Sequence, residues 1–420
     1  MSGVKVTTLS NGLRVATDPM PHVETVTTGV WFGVGSRHEA EEANGVAHLV
    51  EHMLFKGTPT RDAFRISTEI EAVGGHMNAH TGREHTAYYA KVLKEDLGTA
   101  MAVLADMVQH PLFDPVELDR ERQVIIQEIG QAEDTPDDII NDHFLATCYP
   151  GQRLGRSTLG TVEVISSIPR SALVDYVGRN YRLGSMVLTA AGNIEHDRVV
   201  EMAERLFTDL EPGTADGGDP GRYEGGDFRE DRDLEQLHLI LGFQGVGSRS
   251  DDIHAVSVLS TLLGGGMSSR LFQEVREKRG LVYSIESFNW PMVEDGILGI
   301  YAGTDPDRVA ELIPVVCAEV ASLAATCTEE EVARARTQLK ASHLMSLEST
   351  TNRAEQLGTQ LLVFGRTMAP VEVAARIDAV DLGAVRRMAE RIFASRPTLA
   401  AIGPLDRLES HAALTVRLRS

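Results

Sequence analysis

Apolar residues recur along this chain in two rhythms. Val23 to Phe32 is rich in apolar and β-branched residues and stops at Gly33. Thr86 to Val92 and Ser185 to Ala191 share that character, and each run predicts a strand. Gly45 to Phe55, Lys94 to Val108, Pro115 to Gln131 and His196 to Phe207 instead repeat apolar positions every three or four residues, which predicts helices. Further helices are expected from about Glu329 to Phe393. Strands separated by several helices and by hairpin-like pairs indicate an α+β class rather than a regular βαβ alternation.

The pattern occurs twice. Val34-Gly35-Ser36-Arg37 returns as Val246-Gly247-Ser248-Arg249, 212 positions on. Gly155-Arg156 and Val162-Glu163-Val164 return as Gly365-Arg366 and Val371-Glu372-Val373, at offsets of 210 and 209. Leu188-Thr189-Ala190-Ala191-Gly192 is echoed by Leu399-Ala400-Ala401-Ile402-Gly403 at 211. Ordered matches at one offset, half the chain long, imply two homologous domains. We place them at 1–210 and 233–420, joined by a linker at 211–232 whose first half is dense in Gly, Pro and Asp.

Composition narrows the function. The 420 residues are 42% apolar and 24% charged, which excludes disordered and fibrous classes. The formal net charge of −21 argues against nucleic acid as a partner, because phosphate binding needs a cationic face. Cys148, Cys317 and Cys327 form no C-x-x-C pair, so neither a disulfide framework nor a cysteine zinc knuckle is expected, and a reducing compartment is. The first residues lack the cationic and apolar regions of a signal peptide, and no uninterrupted apolar run approaches the ~18–20 residues of a membrane span. A cytoplasmic protein with no membrane partner is the expectation.

The strongest chemical signal is His48-Leu49-Val50-Glu51-His52. Positions i and i+4 of a helix share a face, so both imidazoles can reach one ion. Glu51 shares that face and can take a proton from a water activated there. A catalytic zinc wants a third protein ligand and one open position. Among the candidates are His76, His80, His85, Glu121 and Glu128, and spacing alone does not choose between them. Glu121 and Glu128 lie seven apart on one helix, two turns along a common face.

The run from Gly45 to Thr58, GVAHLVEHMLFKGT, resembles the inverted zinc motif of the pitrilysin-type metallopeptidases. The likeness extends over nearly the whole duplicated chain, and is greatest to the short bacterial members and the processing-peptidase β subunit. It implies their duplicated fold, each domain a mainly antiparallel sheet packed with helices. The family sets a glutamate ligand some 75 residues after the second histidine. Glu128 lies 76 beyond His52, and Glu121 matches a second family glutamate seven residues earlier. The resemblance thus implies one Zn²⁺ per chain on His48, His52 and Glu128, Glu51 as base, and Glu121 behind the ligands. It also implies that Asn78 and Ala79, in Gly74 to Thr81, lie on an edge strand that pairs with substrate.

Under the 212 offset, His48, Glu51 and His52 fall on Ser260, Leu263 and Gly264, so the second domain has lost the ligands. There, Gly264 to Leu271 is a glycine-rich run without a G-K-[ST] ending, which reads as a turn and not a nucleotide site. Arg276 and Tyr283 resemble a family arginine–tyrosine pair that grips substrate and stabilises the oxyanion, for which a cation and a phenol are suitable donors. Long family members enclose substrate with four such domains. Two here imply a homodimer with a composite active site, acting on short or unfolded peptides. The acidic runs Glu39-Ala40-Glu41-Glu42 and Glu133 to Asp138 read as a solvated face, or as attraction for basic peptides. The alternative is a non-catalytic core subunit, or a catalytic subunit that needs a separate partner chain. The intact His48, Glu51, His52 and Glu128 set favours the peptidase.

Overall fold

The computed structural model describes residues 3–419. Contacts divide the chain into two units of three segments each. The first runs to Gly130 and adds Arg156–Asp219 and Met345–Ala369. The second consists of Gln131–Gly155, Pro220–Leu344 and the chain from Pro370 onward. The exchanged segments, Gln131–Gly155 and Met345–Ala369, start 214 positions apart, so each half lends the same element to the other unit.

The first unit holds strands β1 (Lys5–Thr8), β2 (Arg14–Pro19), β3 (Thr25–Phe32), β4 (His76–Thr81), β5 (Thr86–Leu93) and β6 (Met186–Gly192). Their order is β1-β2-β6-β3-β5-β4, antiparallel except for β2 beside β6. The second unit holds β7 (Asp227–Glu230), β8 (Leu237–Gln244), β9 (Val282–Pro291), β10 (Gly296–Thr304) and β11 (Thr398–Ile402), in the order β7-β11-β8-β10-β9. Again one pair is parallel, β11 with β7. Strand for strand, the second sheet copies β2-β6-β3-β5-β4, and β8 follows β3 by the 212 residues of the sequence repeat. Strand β7 lies within 211–232, where a linker is expected. Its four residues gain a ladder from β11 that the local sequence does not announce.

In each unit one sheet face packs on helices of its own half, forming large cores of Leu, Val, Ile and Met side chains. The opposite face is covered by the exchanged helix. Thr350–Phe364 lies on β2, β3 and β6, with Leu357 and Leu361 against Ala16 and Val187. Pro136–Cys148 lies on β7, β8 and β11, with Ile140 and Phe144 against Ile240 and Ile402. Both contacts are tight enough to require glycine. A Cβ on Gly358 would meet the Trp31 ring at 2.4 Å, and one on Gly242 would meet the Phe144 ring at 2.2 Å.

The helix Val309–Thr326 and its lead-in are long and apolar enough to cross a membrane by length and composition. Its Leu312, Ile313, Val316, Val320 and Leu323 are instead buried in the second core. All three cysteines are free and buried.

Candidate metal centre

The helix Val46–Leu54 buries Val46, Ala47, Leu49, Val50, Met53 and Leu54. Core packing takes those six and leaves His48, Glu51 and His52 as its three partly exposed positions. Their i, i+3, i+4 spacing puts all three on one face. The helix Pro115–Glu133 starts at Asp114, whose carboxylate accepts from the Val116 and Glu117 amides at 2.8 and 3.2 Å. It buries Leu118, Glu121, Ile125 and Ile129 as a stripe, so Glu121 points inward with the core residues.

The two helices bring His48, His52 and Glu128 together, with one potential ligand atom from each within 4.8 Å of the others. His48 Nε2 and His52 Nε2 each lie 3.7 Å from the same oxygen, Glu128 Oε2. That is too long for a hydrogen bond but close to the roughly 3.4 Å edge of a tetrahedron with ligand bonds of about 2.1 Å. An N, N, O donor set of this spacing fits zinc and leaves room for a fourth, exchangeable position. His76, His80 and His85 do not join it. His80 and His85 pack on each other, ring centroids 5.4 Å apart, and His80 lies 5.9 Å from the Trp31 ring.

The surroundings differ for the two imidazoles. His52 Nδ1 lies 3.0 Å from Glu121 Oε2, and Lys56 Nζ lies 2.6 Å from the other oxygen of that carboxylate. Burial acts to raise the Glu121 pKa, but the bonds from His52 and Lys56 outweigh it and hold the group ionised. A carboxylate on Nδ1–H leaves the Nε2 lone pair free for the position it shares with His48 and Glu128. Burial opposes protonation of His52, yet Glu121, Glu128 and Glu51 raise its pKa. His48 is pushed down to about 4 by burial and by His52. Its Nδ1 is buried without a hydrogen-bond partner among the described residues.

Glu51 accepts a 2.5 Å bond from Thr81 Oγ1 at the end of β4. Burial, with Glu128 nearby, raises its pKa, which makes it a stronger base than a solvated carboxylate. Glu51, His52, Phe55, Lys56, Asn78, Ala79 and Glu121 line a cleft of about 230 Å³. Asn78 and Ala79 sit on β4, the sheet's edge strand, which pairs on one side with β5 and leaves its other edge free of a strand. An extended peptide laid there would pass the Glu51 carboxylate.

Arg276 and Tyr283 belong to the second unit, where they meet: the guanidinium carbon lies 5.7 Å from the Tyr283 ring centroid and 4.9 Å from that of Phe272. Tyr283 is 77% exposed near the start of the edge strand β9. The glycine-rich run leads into the helical turn Phe272–Glu277 that carries Arg276.

Three contributors to the first unit's site are not singled out by the sequence. Thr81 steers Glu51 and Lys56 neutralises Glu121, and neither contact is local in the chain. Glu39, read as part of an acidic face, is 1% exposed. Only Glu41 and Glu42 of that run are surface groups.

Residues 14–162 match the family model described as Insulinase (Peptidase family M16), and 167–339 match that of the Peptidase M16 inactive domain. A protein named an uncharacterized zinc protease from Rickettsia felis is 39% identical over 96% of this chain and 98% of its own length. A probable mitochondrial-processing peptidase subunit beta from Arabidopsis thaliana is also 39% identical, over 97% of this chain and 80% of its own. The crystal structure of a protease from Helicobacter pylori superposes with a TM-score of 0.90 at 22% identity, covering 96% of this chain and all of that one. A chain of complex III2 from Candida albicans gives the same TM-score and identity over 99% of this chain. The match of both family models in order, over a duplicated fold with the His48, His52 and Glu128 cluster in the first copy, places this chain in the M16, or pitrilysin-type, peptidase family.

Proposed function

We propose that the chain is a zinc-dependent endopeptidase that cleaves short or unfolded peptides. The observation that carries this is the convergence of two imidazole Nε2 atoms on one Glu128 oxygen, with Glu51 on the same helix face. His48, His52 and Glu128 would hold one Zn²⁺, which when bound supplies Lewis acidity to a water and to the scissile carbonyl. The edge of β4 at Asn78 and Ala79 binds the peptide backbone in extended form, which suits varied sequences. Glu51, its carboxylate steered by Thr81, takes the proton from the attacking water at its free oxygen and returns it to the leaving amide nitrogen. Glu121 keeps His52 in one tautomer and orientation throughout.

We further propose that the active form is a cytoplasmic homodimer, with Arg276 and Tyr283 of one chain serving the cleft of the other. Their mutual contact and the exposure of Tyr283 support a joint role as donors to developing negative charge. The relative named as a subunit beta supports a second reading, in which a separate partner chain is needed.

The test is hydrolysis of a quenched fluorogenic basic peptide by wild type and Glu51→Gln, with zinc content measured on both. Wild type cleaves, and the variant keeps its zinc but loses at least about 10²–10⁴-fold in rate. A wild type without zinc ends the metallopeptidase reading. Zinc-loaded wild type that cleaves only after a second polypeptide is added favours the partner reading. Mixing Glu51→Gln with Tyr283→Phe after dissociation restores activity if the site is shared between chains.

A further inference from the structure

The two imidazoles of the metal helix are secured unequally. His52 is held by Glu121, whereas His48 Nδ1 is buried with no partner among the described residues. The placement of His48 therefore depends on its backbone, and His48 is the third residue of the helix Val46–Leu54, inside the turn most prone to fray. That turn has no cap of its own. The N-cap is Gly45 at φ +94°, where an L side chain is strained. A Cβ there would also meet Ile165 Cδ1 and the Leu159 carbonyl oxygen at 2.7 Å. A serine, threonine or aspartate is thereby excluded at the one position from which helices are usually capped.

The missing acceptor comes from Glu39. Its Oε2 accepts from Gly45 N–H at 2.8 Å and from Asn44 Nδ2 at 2.8 Å, and its Oε1 accepts from Ala47 N–H at 2.7 Å. The carboxylate thus meets the backbone on both sides of Val46 and lies at the positive end of the helix. Asn44 extends the bracket by donating to the Ser157 carbonyl at 3.0 Å. With 1% exposure, Glu39 has no role on the surface, and an acid buried without need is costly.

We propose that Glu39 is a positioning residue for the metal centre: its buried carboxylate replaces the N-cap that Gly45 cannot supply and so fixes the backbone from which His48 reaches the ion. The inference rests on the zinc reading above and goes beyond it in assigning how one ligand is held. Glutamine at 39 keeps the volume but turns one acceptor into a donor facing an N–H, so at least one of the three bonds is lost.

The experiment uses the full chain at pH 8, above the value of about 7 to which burial pushes the Glu39 carboxyl against its hydrogen-bond donors. Zinc affinity is measured by chelator competition, the visible spectrum of the cobalt-substituted protein is recorded, and amide exchange is followed in the metal-free protein. Glu39→Gln is expected to bind zinc about tenfold more weakly, in line with loss of a helix cap, and to shift the cobalt bands. Amides of residues 45–51 lose protection while those of the helix Leu97–Gln109 keep theirs. Glu39→Asp, which keeps the charge but shortens the reach by one methylene, stands in if Glu39→Gln does not fold. Zinc-binding wild type with unchanged affinity and cobalt bands in the variant overturns this proposal alone, whatever the exchange shows. A wild type that takes up no zinc overturns it together with the metallopeptidase reading.

Discussion

The helix Val46–Leu54 in the first unit and the helix Ile253–Gly264 in the second hold equivalent places, each ahead of and packed on the edge strand of its sheet. The first stands off from β4 and leaves a cleft of about 230 Å³ lined by Glu51, His52 and Glu121. The second is pressed onto β9. A Cβ on Gly264 would meet the Ser287 backbone nitrogen at 2.5 Å, and Ser260 and Ser287 hydroxyls lie 3.2 Å apart across the seam. Leu263, the counterpart of Glu51, is fully buried. One frame therefore serves two ends. Separated by a polar cleft, helix and edge strand can hold an ion and a peptide. Closed on glycine, serine and leucine, they form a packed seam.

Leu263→Ala removes a buried side chain from the closed seam and should cost about 2–5 kcal/mol of unfolding free energy, read by denaturant titration, with zinc content unchanged. A loss of zinc from that variant would mean that the second unit also shapes the metal centre. Glu121→Gln touches the open seam instead. It should weaken zinc binding about 10–100-fold by chelator competition, because His52 loses an ionised acceptor on Nδ1.

Acid should separate the units as well. His85 is pushed down to about 4 by burial and by His80, whereas its counterpart at the 212 offset, Ile297, cannot titrate. A histidine near its ordinary value of about 6.5 when unfolded takes up protons that the folded form refuses. Stability from this source is complete above pH ~6.5 and is lost as the pH falls toward 4, by roughly 1–3 kcal/mol. His85→Gln should flatten that limb of the melting temperature against pH, and an unchanged limb would assign acid sensitivity elsewhere. The smallest effect is expected from Ser260→Ala, which removes one hydroxyl contact at the seam and should cost about 1 kcal/mol, with no change in zinc content.

Periodicity was a good guide to the elements. Strands expected at Val23 to Phe32, Thr86 to Val92 and Ser185 to Ala191 are Thr25–Phe32, Thr86–Leu93 and Met186–Gly192. The helix expected over Pro115 to Gln131 is Pro115–Glu133. Each is long and locally consistent, so the pattern of burial is written in its own residues. Strand β7 was not legible, because four residues with two acids and an arginine become a strand only when β11 offers a ladder. Nor was the exchange of Gln131–Gly155 and Met345–Ala369, since an amphipathic helix encodes that it packs but not on which sheet.

At the site the division is similar. The order of residues suffices to put His48, Glu51 and His52 on one helix face and Glu121 and Glu128 on another, and to show that the aligned positions of the second copy have no such groups, because helical spacing and the internal offset are properties of the chain. Helical spacing left Glu128 open against His76, His80, His85 and Glu121, and the family resemblance selected it; folding is what brings it to the imidazoles and makes Thr81 and Lys56 meet Glu51 and Glu121. Folding also decided that Glu39, one of three acids in a polar run, turns inward to cap the metal helix while Glu41 and Glu42 face solvent. These are contacts between elements up to 80 residues apart, from His48 to Glu128, or between a loop acid and a buried helix end. Their energies depend on distance and desolvation, and neither exists until the chain has packed.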